Sequence, residues 1–122
     1  MSPKEIKSAV APILSEMIAI RRHLHENPEL SFHEVKTAAF ISEHLTSWGI
    51  QHQTQIGGNG ILATVTGELT GNHVIAIRGD MDALPIQETT NLPFASKNDG
   101  VMHACGHDVH TTCVLATARV LN

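Results

Sequence analysis

The run Gly100-Val101-Met102-His103-Ala104-Cys105-Gly106-His107-Asp108-Val109-His110 gathers three histidines, a cysteine and an aspartate within eleven residues. Thiolate, imidazole and carboxylate are the side chains that bind transition metals. Gly106 lets the backbone turn tightly enough for Cys105 and His107 to converge on one ion. We therefore read Cys105 and His107 as metal ligands. A buried cysteine alone is usually just a small apolar side chain. The pairing with His107 across a glycine is what favours a metal. Asp108 is expected to cap the following helix, its carboxylate facing the amides of Thr111 or His110. His103, and with it Asp108 and His110, could support a ligand or line a substrate cleft. His110 falls on the helix, where a hydrogen-bonded core histidine is the alternative reading.

A second pair of candidates lies upstream. Asp80 and Asp82 follow the apolar segment His73-Val74-Ile75-Ala76-Ile77-Arg78, which lacks a clean alternation and is predicted to be a central strand covered on both faces. In open α/β sheets, ligands bind beyond the carboxyl ends of the strands. Turn solvation and helix capping are the ordinary fates of such aspartates. In a chain that also carries Cys105 and His107, we take Asp80 and Asp82 as catalytic candidates. Two ligands do not make a hydrolytic zinc centre, which uses about three protein ligands plus water. A base must also take the water's proton. No glutamate is well placed for that, and Glu88 is the nearest to the aspartate pair. The general base is expected to lie outside this sequence.

The elements that must position these residues follow from local pattern. Ser2 and Glu5 form a capping box with Pro3 at the first helical position. Ile6, Val10, Ile13, Leu14, Met17, Ile18 and Leu24 recur at helical spacing. Pro12 should kink or split that helix, and Asn27-Pro28 should stop it. Ser31 to Glu34 reads as a second capping box, before a helix through Val35, Ala38, Phe40, Ile41, Leu45 and Trp48 that ends at Gly49. Gln51 to Ile56 and Ile61 to Thr66 are predicted to pair as a hairpin around Gly57-Gly58-Asn59-Gly60. Ala83 to Val101 reads as an irregular loop. From Val109 a helix apolar nearly all round should be buried, with Cys113 in the core. The remaining histidines, at positions 23, 25, 33, 44, 52 and 73, read as solvated or structural.

The 122 residues amount to one domain at most. A net charge of -4 gives no reason to expect nucleic acid or an anionic membrane as partner. No apolar stretch could span a bilayer, and the first residues lack the features of a signal peptide. The 2 cysteines make no disulfide framework, so a reducing, cytoplasmic setting is expected. A strand covered on both faces needs more helices than these residues supply. We expect the N-terminal piece of a larger domain, the alternative being a small complete domain that dimerises.

Several stretches together resemble one family. Ile20-Arg21-Arg22-His23-Leu24-His25-Glu26-Asn27-Pro28-Glu29-Leu30-Ser31-Phe32 is similar to its N-terminal helix and first turn. Arg78-Gly79-Asp80-Met81-Asp82-Ala83-Leu84-Pro85-Ile86 resembles its strand-end carboxylate motif. Asn91-Leu92-Pro93-Phe94-Ala95-Ser96 and Gly100 to Thr112 resemble its metal loop. The family is that of metal-dependent amidohydrolases such as hippurate hydrolase, N-acyl-amino-acid amidohydrolases, N-acetyldiaminopimelate deacetylase and auxin-conjugate hydrolases. They are related to zinc carboxypeptidases and aminoacylases.

The resemblance implies an α/β fold, of which residues 1–122 would be an incomplete portion. That fold is a zinc-peptidase-like three-layer catalytic domain, its mixed sheet flanked by helices. The rest of that domain and an inserted dimerisation domain would lie outside this sequence. It implies two divalent ions (zinc, manganese, cobalt or nickel), with Cys105 and His107 as ligands and Cys105 bridging. Asp82, with Asp80, would orient a ligand; in distant relatives the first position of that motif is a metal-binding histidine. It implies hydrolysis of an amide bond in N-acyl amino acids or small peptide-like conjugates, by a homodimer, and an isolated fragment without activity. The rival readings are a self-contained metal-binding module and a non-catalytic relative.

Overall fold

The computed structural model describes residues 2–68 and 71–122. Its elements run α1 (Pro3–Val10), a 3-10 turn (Ala11–Ile13), α2 (Leu14–Glu26), α3 (Val35–Ser47), β1 (Gln51–Ile56), β2 (Gly60–Thr64) and α4 (His107–Leu121). The first helix begins as its capping box requires: the Glu5 carboxylate accepts from the Ser2 amide at 2.6 Å. Pro12 removes one donor from the helical ladder, and the chain answers with the 3-10 turn that separates α1 from α2. Met17, Ile20 and Leu24 then place one apolar stripe of α2 in the core.

The start of α3 differs from expectation. Phe32 adopts φ +66°, which turns the chain after Ser31 and leaves that serine outside the helix. Glu34 is the N-cap residue and makes no capping hydrogen bond. Glu29 satisfies the free amides instead: its carboxylate accepts from Lys36 N at 3.2 Å and Thr37 N at 2.8 Å. The far end follows the glycine rule, with Gly49 at φ +71°. β1 and β2 form the expected antiparallel hairpin, in register Gln51↔Thr64 and Gln53↔Leu62, with an irregularity before Ile56.

Leu45, Trp48 and Ile50 join the α2 stripe, Ile41 and Leu115 in one core, which packs α2 and α3 together and closes α4 over them. The interior of α4 is narrower than its composition suggests. Asp108, Thr111, Thr112 and Leu115 are its buried residues, and Cys113 is exposed rather than core. The fold class is α/β.

The strand expected at His73 to Arg78 does not form. These residues form no regular secondary structure, and Val74 and Ile75 are 93% and 86% exposed. A strand is stabilised by neighbours on its edges and faces, and no described segment supplies them here. The loop beyond is held more firmly. Ala83 N donates to Glu29 O at 2.8 Å, and Leu84 and Met102 exchange two backbone bonds of 3.0 Å each. These bridges fix the loop that carries Asp80 and Asp82.

Glu88 anchors the next loop. It accepts from the Thr90 hydroxyl, from Ser96 N at 2.6 Å and from His25 at 3.2 Å. Burial pushes its carboxyl up, but the Thr90, Ser96 and His25 bonds outweigh burial and hold it below the ordinary value. Its stabilisation is therefore full above the ordinary carboxylate range and is lost as pH falls through it. Glu88→Gln should lower stability near neutral pH by about 1–3 kcal/mol. The difference from wild type should shrink as pH falls below the ordinary carboxylate range. Urea unfolding across that range tests this; a gap independent of pH would refute the assignment. Leu45→Ala, at a fully buried site, should cost about 2–5 kcal/mol in the same assay.

Candidate metal centre

The site is assembled where the Asp80–Asp82 loop meets the first turn of α4. Gly106, in the left-handed region at φ +83°, is the N-cap of that helix. His107 and His110 follow three positions apart, and so share a face; their rings lie 5.4 Å apart, centroid to centroid. Gly79 brings the loop in. A methyl group there would stand 2.9 Å from Val114 Cγ2 and 3.1 Å from the His110 carbonyl oxygen, so only glycine permits this approach. The Thr111 hydroxyl then donates to the Asp80 carbonyl at 2.7 Å.

The His107 ring is oriented by Asp82. Its Nδ1–H donates to the Asp82 carboxylate at 2.9 Å and to the Asp82 carbonyl at 2.9 Å. That fixes the tautomer and leaves Nε2 free, 3.7 Å from Asp80 Oδ2. Asp80 is also paired with the exposed Arg78. Asp80, His107 and His110 each offer a ligand atom, and those atoms all lie within 4.8 Å of one another. Among the described residues, they are the group of such side chains close enough to share an ion. One carboxylate and two imidazoles suit zinc, manganese, cobalt or nickel, and a ligand histidine held by a carboxylate is the usual supporting arrangement. The residues fit a divalent ion.

The other sequence candidates are placed differently. Cys105 is exposed, a free thiol outside that group of three. His103 is buried, and neither of its ring nitrogens has a hydrogen-bond partner. Burial holds its imidazole below the ordinary histidine value; Asp108 and Asp82 pull the other way, and His25 and His107 reinforce burial. Asp108 is not the cap it was expected to be. It takes the amide of Val109 at 2.9 Å, not that of His110 or Thr111, and its Oδ2 is committed to His25 at 2.7 Å and Arg21 at 2.9 Å. With Oδ2 taken by the His25 ring and the Arg21 guanidinium, only Oδ1 is left for a helix amide. Glu88 is held by His25, Thr90 and Ser96, so it serves the fold and is not poised as a base.

Sequence reasoning missed Arg21, His25, Gly79 and Thr111. Arg21 and His25 sit one helical turn apart in α2, a spacing that puts two donors on one face. That spacing was the only available signal. Gly79 and Thr111 act through main-chain fits that no local pattern encodes.

The matches to known proteins bear on the same residues. The model of peptidase family M20/M25/M40 matches residues 76–122, the segment that holds every candidate ligand. An N-acyl-L-amino acid amidohydrolase of Geobacillus stearothermophilus is 50% identical over 122 residues, covering 100% of this chain and 33% of that enzyme. The hippurate hydrolase of Campylobacter jejuni is 44% identical over 112 residues, covering 92% of this chain and 29% of that enzyme. A dinuclear metal-binding M20 peptidase from Bacillus subtilis superposes with a TM-score of 0.83 at 52% identity, over 88% of this chain and 30% of that one. The chain thus spans about a third of the length of the curated relatives it matches. Identity at this level runs along the whole sequence, and the backbone follows it, which makes the chain a member of peptidase family M20/M25/M40.

Proposed function

We propose that the chain is the N-terminal part of the catalytic domain of a metal-dependent amidohydrolase. Its substrate class is N-acyl amino acids or small peptide-like conjugates, cleaved at the amide bond. The observation that carries this reading is the His107 ring. Asp82 holds one nitrogen, and the other is turned toward Asp80 beside His110. The named relatives that act on N-acyl amino acids support the substrate class.

Bound divalent ions would polarise the amide carbonyl and acidify a water molecule. The protein's share is to hold and aim. His107 Nε2 ligates, with Asp82 fixing its tautomer. Asp80 and His110 complete a three-ligand set for one ion. The Cys105 thiolate, two residues from His107, would be available to hold a second ion. The dinuclear relative supports a pair of ions. The base that moves the water's proton to the leaving amine is a residue outside this sequence, so the 122 residues alone are inactive. The homodimer is formed through the inserted domain of the full-length enzyme. No helix is long and apolar enough to cross a membrane among the described residues, and both thiols are free. The free thiols support a cytoplasmic setting for the enzyme.

Isothermal titration of the purified chain with zinc, manganese or cobalt tests the centre. Wild type should bind, and His107→Ala should abolish binding. Asp82→Asn should weaken affinity about 10–100-fold while leaving the melting temperature nearly unchanged. Binding that is indifferent to His107 would sink the reading. Release of amino acid from an N-acyl substrate by the isolated 122 residues would separately overturn their assignment as an inactive piece.

A further inference from the structure

Between the two site histidines lies Asp108, one of the most completely enclosed side chains in the molecule. Its surroundings belong to α2, not to the site. Oδ2 is ion-paired with the Arg21 guanidinium, 2.9 Å from Nε, and hydrogen-bonded to His25 Nδ1 at 2.7 Å. Its own backbone carbonyl accepts from the Thr112 hydroxyl at 2.7 Å. His25 passes the connection on, its Nε2 meeting Glu88 Oε1 at 3.2 Å. Glu88 in turn accepts from Ser96 N. Both ring nitrogens of His25 thus face carboxylate oxygens. Phe94 completes the enclosure: its ring meets His25 edge-on at 5.7 Å, and Arg21 lies 5.2 Å from its centroid.

The consequence is geometric. His107, Asp108 and His110 share the first turn of one helix, so that turn cannot rotate without moving all three. Asp108 is pinned to α2 on the inner side, while Thr111 grips the Asp80 loop on the other. We propose that Asp108, through Arg21 and His25, is a positioning residue. It sets the rotation of α4 so that His107 and His110 face Asp80. Asp108 is no ligand itself, because its side chain is shut away from the site and its oxygens are already used. The metal part of this inference rests on the proposed centre; the positioning part does not.

Two readouts separate them. In the metal-free chain, the ring nitrogen resonances of His107 report its bond to Asp82. Asp108→Asn should shift them toward values of an exposed histidine. With cobalt(II) chloride as probe, Asp108→Asn should bind about tenfold more weakly than wild type, with an altered visible spectrum. Arg21→Met should show a smaller loss in the same direction. Leu45→Ala, a core truncation on α3 that leaves the Asp108 contacts in place, serves as control and should keep wild-type affinity and spectrum. All are measured where circular dichroism shows the chain folded; should Asp108→Asn not fold, Arg21→Met decides. Unchanged His107 resonances in the deciding variant overturn the inference, as does an equal cobalt loss in Leu45→Ala. If wild type binds no cobalt, the metal reading fails, and the His107 resonances alone decide the positioning claim.

Discussion

The carboxylate of Asp108 is the interaction on which the arrangement depends. A carboxylate taken out of water carries a desolvation cost of several kcal/mol, which only good partners offset. Here Arg21 and His25 approach one oxygen from adjacent turns of α2. Removing one partner from such a cluster leaves an uncompensated charge, at a cost of about 3–5 kcal/mol. The sequence separation between His25 and Asp108 is 83 residues. One buried oxygen therefore fixes how the two ends of the chain meet, and the hydrophobic contact of Leu115 with the α2 stripe closes around it. Apolar packing is non-directional, so it could bring α4 onto α2 in several rotations. The His25 hydrogen bond and the Arg21 ion pair at Asp108 select one.

That selection divides α4 into two working faces. The inner face carries Asp108, Thr112 and Leu115 and belongs to the core. The outer face carries His107 and His110 and belongs to the chemistry. Thr111 lies between them and ties the helix to the Asp80 loop. The loop is itself anchored elsewhere, by the backbone bridges to Glu29 and Met102. The candidate ligands come from two segments, each rigid for an independent reason. A metal site built this way needs little ordering when an ion arrives.

The sequence made some of this legible and concealed the rest. The metal loop, the Pro12 break, the Gly49 stop and the hairpin follow from short-range chemistry, which residue types and spacing carry directly. Asp82 could be named because paired carboxylates beside a cysteine and a histidine are suggestive by type alone. For His25 the sequence offers no more than a solvated or structural role, because its partners stand 63 and 83 residues away and no period links them. For Asp108 the sequence favours a cap, since a carboxylate in a first helical turn usually serves the helix amides. Burial beside two stronger donors overrode that preference. The segment Val74 to Ile77 shows the same limit from the other side: β-propensity marks a strand, but pairing makes one.

Two glycines show how far the site rests on main-chain fit. Around Gly106 an added methyl would meet nothing within 4 Å, so space is not its reason for being there. Its φ of +83° is, because a left-handed residue with a Cβ is strained by about 1–2 kcal/mol. At Gly79 the case is reversed. Its backbone needs no unusual torsion, but the neighbouring Val114 methyl and His110 carbonyl leave no room for a side chain. Gly106 starts the helix where His107 must stand, and Gly79 lets Asp80 come up to His110. The first requirement is torsional and local; the second is steric and joins Gly79 and His110 across the 30 residues between them. A substitution at Gly106 therefore acts on the turn before His107, whereas one at Gly79 separates the two halves of the site with both backbones intact.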